Sequence, residues 1–317
     1  MFQDPKWLSC RARRDHSTHR RGGCFPYPAI FLFGGIDMGF SWYPGHMARA
    51  VDQLKQSMKL IDVVIEILDA RAPRSTRNIE LSEITGGKPG VVVLNKADLA
   101  DPATTRAWVE RYLAEGFRAI PADCRTGEGV PEAIAAAIDA AREGEDPRGE
   151  RRHSRARFRT AVLGIPNVGK SSFINRAARR SRAKVGDHPG VTRAKQWIVI
   201  DRDLEMLDTP GIMPPRVRDH RVWTALAALG CLDASTYEVE PLATALVARL
   251  DGMGLSDYRG RYRVPEECSD PHEVLEHVAR SRGCMRTGGK FDTARAAEIV
   301  VRDFRLGRLG RATLESP

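Results

Sequence analysis

The sequence Gly-Ile-Pro-Asn-Val-Gly-Lys-Ser-Ser at 164–172 has the residue types and spacing of a phosphate-binding loop. It fits Gly-x-x-x-x-Gly-Lys-Ser/Thr between an apolar strand pattern and a helical pattern. Glycines let backbone N–H groups approach phosphates, and a helix N-terminus favours an anion. A glycine turn that only caps a helix is the alternative, and the strand–loop–helix context argues against it. The residues predicted to contact nucleotide are Asn167, Val168, Gly169, Lys170, Ser171 and Ser172.

Two of these side chains have predicted roles at the phosphates. Lys170 would reach the β- and γ-phosphates, and the Ser171 hydroxyl would bind Mg²⁺. Asp-Thr-Pro-Gly at 208–211 follows the loop by one hairpin; Asp208 would hold Mg²⁺ and Gly211 would contact the γ-phosphate. Thr192 lies between the two motifs and would close on Mg²⁺ as part of a switch loop. An exposed turn threonine is the alternative for Thr192.

The third motif, Asn-Lys-Ala-Asp at 95–98, predicts recognition of guanine. A carboxylate at Asp98 can accept hydrogen bonds from guanine N1–H and the 2-amino group, a donor pair that adenine lacks. Asn95 and Lys96 would brace the base and the neighbouring loops, and Ala97 is also expected to bind nucleotide. A strand-end turn with this sequence by chance is the alternative. Ligands bind at the carboxyl ends of parallel strands, where both motifs are expected to lie.

The surrounding pattern predicts an α/β fold with a doubly wound, mostly parallel sheet. Nearly continuous apolar runs are typical of buried parallel strands, and they alternate with segments of helical period. Strands are predicted at 61–71, 90–98, 117–123, 159–164, 195–201 and 204–208. Helices are predicted at 47–59, 102–115, 131–142, 170–180, 217–230, 239–253, 271–282 and 293–306.

The order of the motifs predicts a circularly permuted domain. In Ras-like GTPases the phosphate-binding loop comes first and Asn-Lys-x-Asp comes late, whereas here 95–98 precedes 164–172. Rejoining surface termini leaves such a fold intact. We therefore expect a permuted P-loop G domain at 38–213, with a charged linker at 142–158, followed by an all-helical domain at 214–317.

Composition limits the broad class of the protein. The chain has 317 residues, a formal net charge of +9 and six scattered cysteines without metal-ligand spacing. Scattered cysteines favour a reducing compartment. The charge favours a polyanionic partner, although such an excess often serves solubility alone. No apolar run has the length of a membrane span.

Six segments in one order resemble the bacterial ribosome biogenesis GTPase A (YlqF/RbgA) family. They are YPGHM, DARAP, NKAD, GIPNVGKSS, GDHPGVT and LDTPGI. The resemblance extends from about Met38 to the C-terminus. It implies GTP and GDP as ligands, Mg²⁺ as the metal, and a late role in assembly of the large ribosomal subunit. It also implies base contacts by Asp123 and Cys124, where related proteins usually have serine or another small residue in place of Cys124.

The resemblance also assigns catalytic groups. Ras-type enzymes orient the attacking water with a glutamine after the Asp-x-x-Gly glycine. Here that position is Ile212, and the family assigns the task to the histidine of YPGHM, His46. A histidine in the cap region of a helix is the alternative. Similar GTPases use an asparagine at the position of Asn167 to bind K⁺, with loop bracing as the alternative.

The expected partners are the large ribosomal subunit or its late precursor and rRNA, with no DNA and no membrane. Basic side chains around the switch favour contact with rRNA phosphates, although a solvated helix face is the usual explanation for such a run. They are Arg176, Arg179, Arg180, Arg182, Lys184, Arg193 and Lys195. A nucleotide-regulated RNA-binding scaffold with little hydrolysis is the runner-up function. A tRNA-modification GTPase is disfavoured because no modification domain is evident.

Residues 1–37 show no sustained period and are expected to be a disordered arm or the product of an upstream start codon. We expect a chain that begins at Met38 to fold and hydrolyse GTP. A bacterial cytoplasmic location is expected. The arginine-rich, acid-poor segment also allows a transit peptide, which would place the protein in mitochondria.

Overall fold

The computed structural model describes residues 45–144, 157–182, 197–209, 211–213, 217 and 219–317. For residues 45–50, 82 and 180–182 it describes the backbone only. The N-terminal segment 1–37, Thr192 and most of the linker 142–158 lie outside the described residues. All described residues belong to one compact unit, so the division at 213/214 remains a prediction.

The described part of the chain contains one six-stranded sheet. Its strands are β1 (Val63–Asp69), β2 (Gly90–Asn95), β3 (Arg118–Ala122), β4 (Phe158–Leu163), β5 (Trp197–Val199) and β6 (Leu204–Asp208). Their order across the sheet is β3-β2-β1-β4-β6-β5, and only β5 runs antiparallel to its neighbour. β1 and β2 are buried along almost their whole length because helices cover both faces.

The sheet order accounts for the permutation. The chain builds one half outward from β1 through β2 to β3, and then returns to β4 beside β1, with Val63 opposite Thr160. The strand that precedes the phosphate-binding loop therefore occupies the centre of the sheet although it is fourth in sequence. The strand order reverses between β1 and β4, and a crevice outside their carboxyl ends is the expected ligand site.

The described helices comprise those predicted and three that the sequence analysis missed. They are α1 (Gly45–Met58), α2 (Pro73–Thr76), α3 (Ile79–Thr85), α4 (Pro102–Ala114), α5 (Val130–Glu143), α6 (Lys170–Arg182), α7 (His220–Leu229), α8 (Val239–Gly252), α9 (Asp257–Tyr262), α10 (Pro271–Arg282) and α11 (Thr293–Arg305). The missed helices are α2, α3 and α9, each too short to show a helical period. Local signals define α3: Asn78 caps its N-terminus through Glu80 N–H, and Gly86 ends it in the left-handed conformation.

Helices α7 to α11 share a hydrophobic core that is continuous with the core of the sheet. Leu226, Leu246, Val274 and Val300 are buried there. The carbonyl oxygens of Ala227 and Ala228, at the end of α7, accept hydrogen bonds from the Arg305 guanidinium (2.7 and 2.9 Å). These bonds join α11 to α7, and the continuous core packs helices α7 to α11, here called the helical segment, directly against the G domain. Among the described residues, no helix is long and apolar enough to cross a membrane.

Candidate nucleotide-binding site

The phosphate-binding loop connects β4 to α6 and depends on glycine at two points. Gly164 has φ +144°, and a Cβ there would lie 2.6 Å from the carbonyl oxygen of Ile67. Gly169 has φ +106°, and a Cβ there would collide with the Asn95 side-chain amide. Only glycine lets this loop lie against both β1 and the end of β2.

Lys170 lies inside this loop at the start of α6. Its Nζ donates a hydrogen bond to the carbonyl oxygen of Ile165 (2.8 Å), and the residue is 8% exposed. Burial lowers the pKa of Lys170 to about 8, while the charge of Asp208 acts in the opposite direction. Ser171 and Ser172 are exposed in the first turn of α6. The loop therefore holds a buried ammonium group at the start of a helix, with two exposed hydroxyl groups in the first turn.

The Asp-Thr-Pro-Gly segment adjoins this loop. Asp208 ends β6 opposite Val162 of β4 and is exposed. A Cβ on Gly211 would lie 2.9 Å from Lys170 Nζ and 2.9 Å from the Pro166 nitrogen. The structure thus brings Asp208 and Gly211 to the phosphate-binding loop, where the sequence analysis expected them.

Asn95 joins the base-recognition loop, residues 95–101, to two other loops. Its Nδ2 donates to the carbonyl oxygen of Val168 (2.7 Å), and its Oδ1 accepts from the Cys124 N–H (3.0 Å). One amide therefore fixes the base-recognition loop to the phosphate-binding loop and to the loop after β3.

Lys96 makes a second link between the same loops. Its Nζ donates to the carbonyl oxygen of Asn167 (2.9 Å) and pairs with the Asp69 carboxylate (2.9 Å). Lys96 and Asn167 have φ values of 61° and 64°, in the left-handed region that non-glycine residues rarely adopt. Surrounding contacts must hold such residues in place.

Asp98 and the loop after β3 lie at the base side of the site. The Asp98 side chain is 31% exposed, with the Arg125 guanidinium 3.7 Å away. Asp123 is buried and accepts hydrogen bonds from the N–H groups of Arg125 (2.7 Å) and Thr126 (3.3 Å). Burial raises the pKa of the Cys124 thiol to about 12, so this side chain stays neutral. A direct contact of Asp123 or Cys124 with the base remains a prediction.

A buried ion cluster beneath the site was not assigned by the sequence analysis. Asp69, at the end of β1, is fully buried and pairs with Arg71 (2.9 Å) and Lys96 (2.9 Å). Although burial opposes it, these two cations hold the pKa of Asp69 well below its usual range. Arg71 also donates to the carbonyl oxygens of Phe304 (3.4 Å) and Arg305 (3.2 Å). The sequence signal for this cluster was DARAP (69–73) at the end of an apolar strand. The sequence analysis used that segment for the family resemblance and did not recognise its contact with Lys96.

The structure places three other predicted residues as follows. His46 is the second residue of α1, and only its backbone is described. The apolar face of α1, including Leu54 and Met58, shares a hydrophobic cluster with Leu207 and Ile212 on either side of Asp-Thr-Pro-Gly. The Asn167 Nδ2 donates to the carbonyl oxygen of Gly230 (2.7 Å), so this amide does brace the loop. Thr192 lies outside the described residues.

The fold and the three joined loops define a circularly permuted P-loop GTPase. A family model described as a 50S ribosome-binding GTPase matches residues 159–246. Ribosome biogenesis GTPase A of Bacillus cereus is 39% identical over 88% of this chain and 95% of its own length. Mitochondrial ribosome-associated GTPase 1 of Mus musculus is 33% identical over 92% of this chain and 93% of its own length. The crystal structure of GNP-bound YlqF from T. maritima aligns with a TM-score of 0.59, at 26% identity, over 85% of this chain and 98% of that one.

This chain belongs to the ribosome biogenesis GTPase A (YlqF/RbgA) family. It is therefore a GTP-hydrolysing enzyme that binds guanine nucleotide. The predicted fold and family are confirmed.

Proposed function

We propose that this protein is an assembly factor for the large ribosomal subunit that binds rRNA of the subunit, or of its late precursor, in a GTP-dependent way. The contacts of Asn95 and Lys96 with the phosphate-binding loop carry the proposal, because they unite base recognition and phosphate binding in one site. The relatives' names supply the ribosomal context. We also propose a bacterial cytoplasmic location, with mitochondria as the alternative.

The residues around Lys170 fit Mg²⁺. Ser171 and Asp208 offer exposed oxygen atoms at the mouth of the loop, and Mg²⁺ prefers oxygen ligands together with substrate phosphates. Thr192 is the proposed third protein group. When bound, Mg²⁺ neutralises charge on the β- and γ-phosphates. Lys170 adds a positive charge, and the N–H groups at the start of α6 orient the phosphate oxygens.

His46 is the proposed group that orients the attacking water. Ile212 is 3% exposed, its carbonyl oxygen accepts from Asn78 Nδ2 (3.1 Å), and its side chain has no polar atom to offer. The helix that carries His46 packs in the same cluster as Ile212. A neutral imidazole can orient water or accept its proton near neutral pH.

We propose that Asn167 binds K⁺ through its side-chain oxygen. The contact with Gly230 uses the Nδ2 group and turns it toward the helical segment, which leaves Oδ1 as a candidate ligand. Single-turnover GTP hydrolysis is expected to be about tenfold faster in KCl than in NaCl at equal ionic strength. Asn167→Ala, which removes the side-chain oxygen, should abolish this difference. Equal wild-type rates in the two salts would rule out K⁺ and leave Asn167 as a loop-bracing residue.

Some of the basic side chains that could contact RNA already have partners within the protein. The Arg176 guanidinium donates a hydrogen bond to the carbonyl oxygen of Arg125 and therefore has a partner within the protein. In the helical segment, Arg259 pairs with Asp251 (3.0 Å) and Arg261 with Asp303 (2.8 Å). In the described part of the chain, the exposed arginines that are candidates for phosphate contact include Arg179, Arg263, Arg280 and Arg282.

The expected result with purified subunits is tighter binding in the GTP state. Sedimentation of the protein with large subunits should show about tenfold higher affinity with a non-hydrolysable GTP analogue than with GDP, because a nucleotide switch requires differential affinity. Affinity should fall steeply as KCl is raised, as phosphate-dominated contacts do. Small subunits serve as the control. Equal pelleting in both nucleotide states would contradict the nucleotide-dependent switch. An absence of pelleting in both states would contradict binding to the large subunit.

A further inference from the structure

The segment that follows α11 crosses back over the G domain. Residues 309–315, here called the C-terminal strap, include four largely buried residues: Leu309, Ala312, Thr313 and Leu314. The turn before the strap brings Gly307 against the base-recognition loop, where a Cβ on Gly307 would lie 2.6 Å from Leu99 Cδ2. The end of the helical segment is therefore in contact with residues adjacent to Asp98.

The strap binds the base-recognition loop mainly through main-chain groups of the loop. Arg311 donates two hydrogen bonds, from Nη2 to the carbonyl oxygen of Ala97 (2.8 Å) and from Nε to that of Ala100 (2.9 Å). The Ala312 N–H donates to the carbonyl oxygen of Leu99 (3.1 Å). One guanidinium group thus spans both sides of Asp98.

The loop's last residue is held as well. The Asp101 N–H donates to Thr313 Oγ1 (3.0 Å). Asp101 is also the N-cap of α4 and accepts from the Thr104 N–H (2.7 Å). The strap therefore fixes the point at which the base-recognition loop becomes helix α4.

The strap is anchored on the G domain independently of this loop. The Leu314 N–H donates to the carbonyl oxygen of Arg71 (2.6 Å), and Trp108 Nε1 donates to that of Glu315 (3.1 Å). The Glu315 carboxylate accepts from the N–H groups of Arg74 (2.8 Å) and Ser75 (3.1 Å) at the start of α2. Because both α2 and α4 hold the strap, it presents Arg311 to the loop from a fixed position.

The loop needs such a support. Lys96 has left-handed backbone geometry, which persists only where the surroundings enforce it. Asn95 and Lys96 fix the first part of the loop to the phosphate-binding side. The part that contains Asp98 is held from the other side by Arg311, Ala312 and Thr313. Two hydrogen bonds to one base edge require close placement of the carboxylate.

We propose that the C-terminal strap is a positioning element for guanine recognition, and that Arg311 is a specificity-determining positioning residue that holds Asp98 in register with the base. The inference rests on the proposed role of Asp98. Coupling between two sites is reciprocal. Guanine nucleotide therefore tightens the docking of the strap, and a partner that draws the helical segment away from the loop weakens nucleotide binding.

The test compares Arg311→Gln with Arg302→Gln, a matched change of an exposed arginine in α11. Calorimetric titrations use GDP and inosine diphosphate, which keeps the N1–H donor and lacks the 2-amino group. Arg311→Gln should weaken GDP binding about tenfold, as expected for two charge-assisted hydrogen bonds that hold the loop. Inosine diphosphate should lose less affinity, so the preference for GDP shrinks. Arg302→Gln should leave both affinities and the single-turnover rate of GTP hydrolysis unchanged.

Two further variants separate positioning from general stability. Arg311→Lys, with one donor group in place of a two-pronged guanidinium, should restore part of the GDP preference. Thr313→Val removes the acceptor for the Asp101 N–H with almost no change of shape and should shrink the preference independently. Equal loss of GDP and inosine diphosphate affinity, or no loss in either variant, would overturn the inference. A wild-type protein without preference for GDP would instead refute the role of Asp98.

Discussion

Replacement of His46 by alanine is expected to reduce subunit-stimulated GTP turnover by about 100-fold or more, the usual range for loss of a positioned proton acceptor. The affinity for GTP should stay nearly unchanged, because His46 lies outside the phosphate-binding and base-recognition loops. The measurement is a single-turnover hydrolysis assay with and without large subunits, paired with a GTP titration.

The matched control for this variant is His272→Ala, which removes an exposed histidine from the first turn of α10. It should hydrolyse GTP at the wild-type rate. If His46→Ala also retained that rate, the histidine would be a cap-region residue of α1 and another polar group would have to orient the water. A parallel fall in GTP affinity would indicate a role in binding rather than in catalysis.

The second large effect is expected for Asp98→Asn. The asparagine amide keeps one acceptor oxygen but sets an NH₂ group against the other guanine donor, and GTP affinity should fall by roughly 100-fold or more. Xanthosine triphosphate should bind better than GTP to the variant, because its 2-oxo group matches the asparagine amide. Competition titrations with both nucleotides measure the exchange of specificity.

Asp139→Asn is the control, since Asp139 is an exposed carboxylate of α5 that lies 3.7 Å from Arg142. It should leave the nucleotide preference unaltered. Wild-type protein that binds ATP as tightly as GTP would refute base recognition at Asp98, whatever the variant does.

The sheet and most helices could be predicted because their signals are local. A buried parallel strand such as β2 requires an almost continuous apolar run. An amphipathic helix such as α11 requires apolar residues that recur every three or four positions. The nucleotide loops were equally predictable, since phosphate binding restricts Gly164, Gly169 and Lys170 to particular residue types. Helices α2, α3 and α9 were missed because one or two turns provide no repeat.

The contacts of the C-terminal strap could not be predicted, for a different reason. Arg311 binds the carbonyl oxygens of Ala97 and Ala100, groups that any residue would supply. Nothing in the loop sequence therefore indicates its partner 210 or more residues away. The cluster of Asp69, Arg71 and Lys96 could not be predicted either. Its residues meet because the sheet order places β1 and β2 side by side, which the sequence does not state.

The order of the strands along the chain also has a consequence for biosynthesis. A translating ribosome completes β1, β2 and β3 before it makes β4, so the nascent half-sheet emerges with one side of β1 unpaired. That side consists of the backbone groups that later pair from Val63 to Glu66 with Thr160 to Leu163. An unpaired, apolar strand edge is a template for aggregation. The edge of β1 is therefore exposed to wrong pairing during synthesis until residues 158–163 have been made and can pair with it.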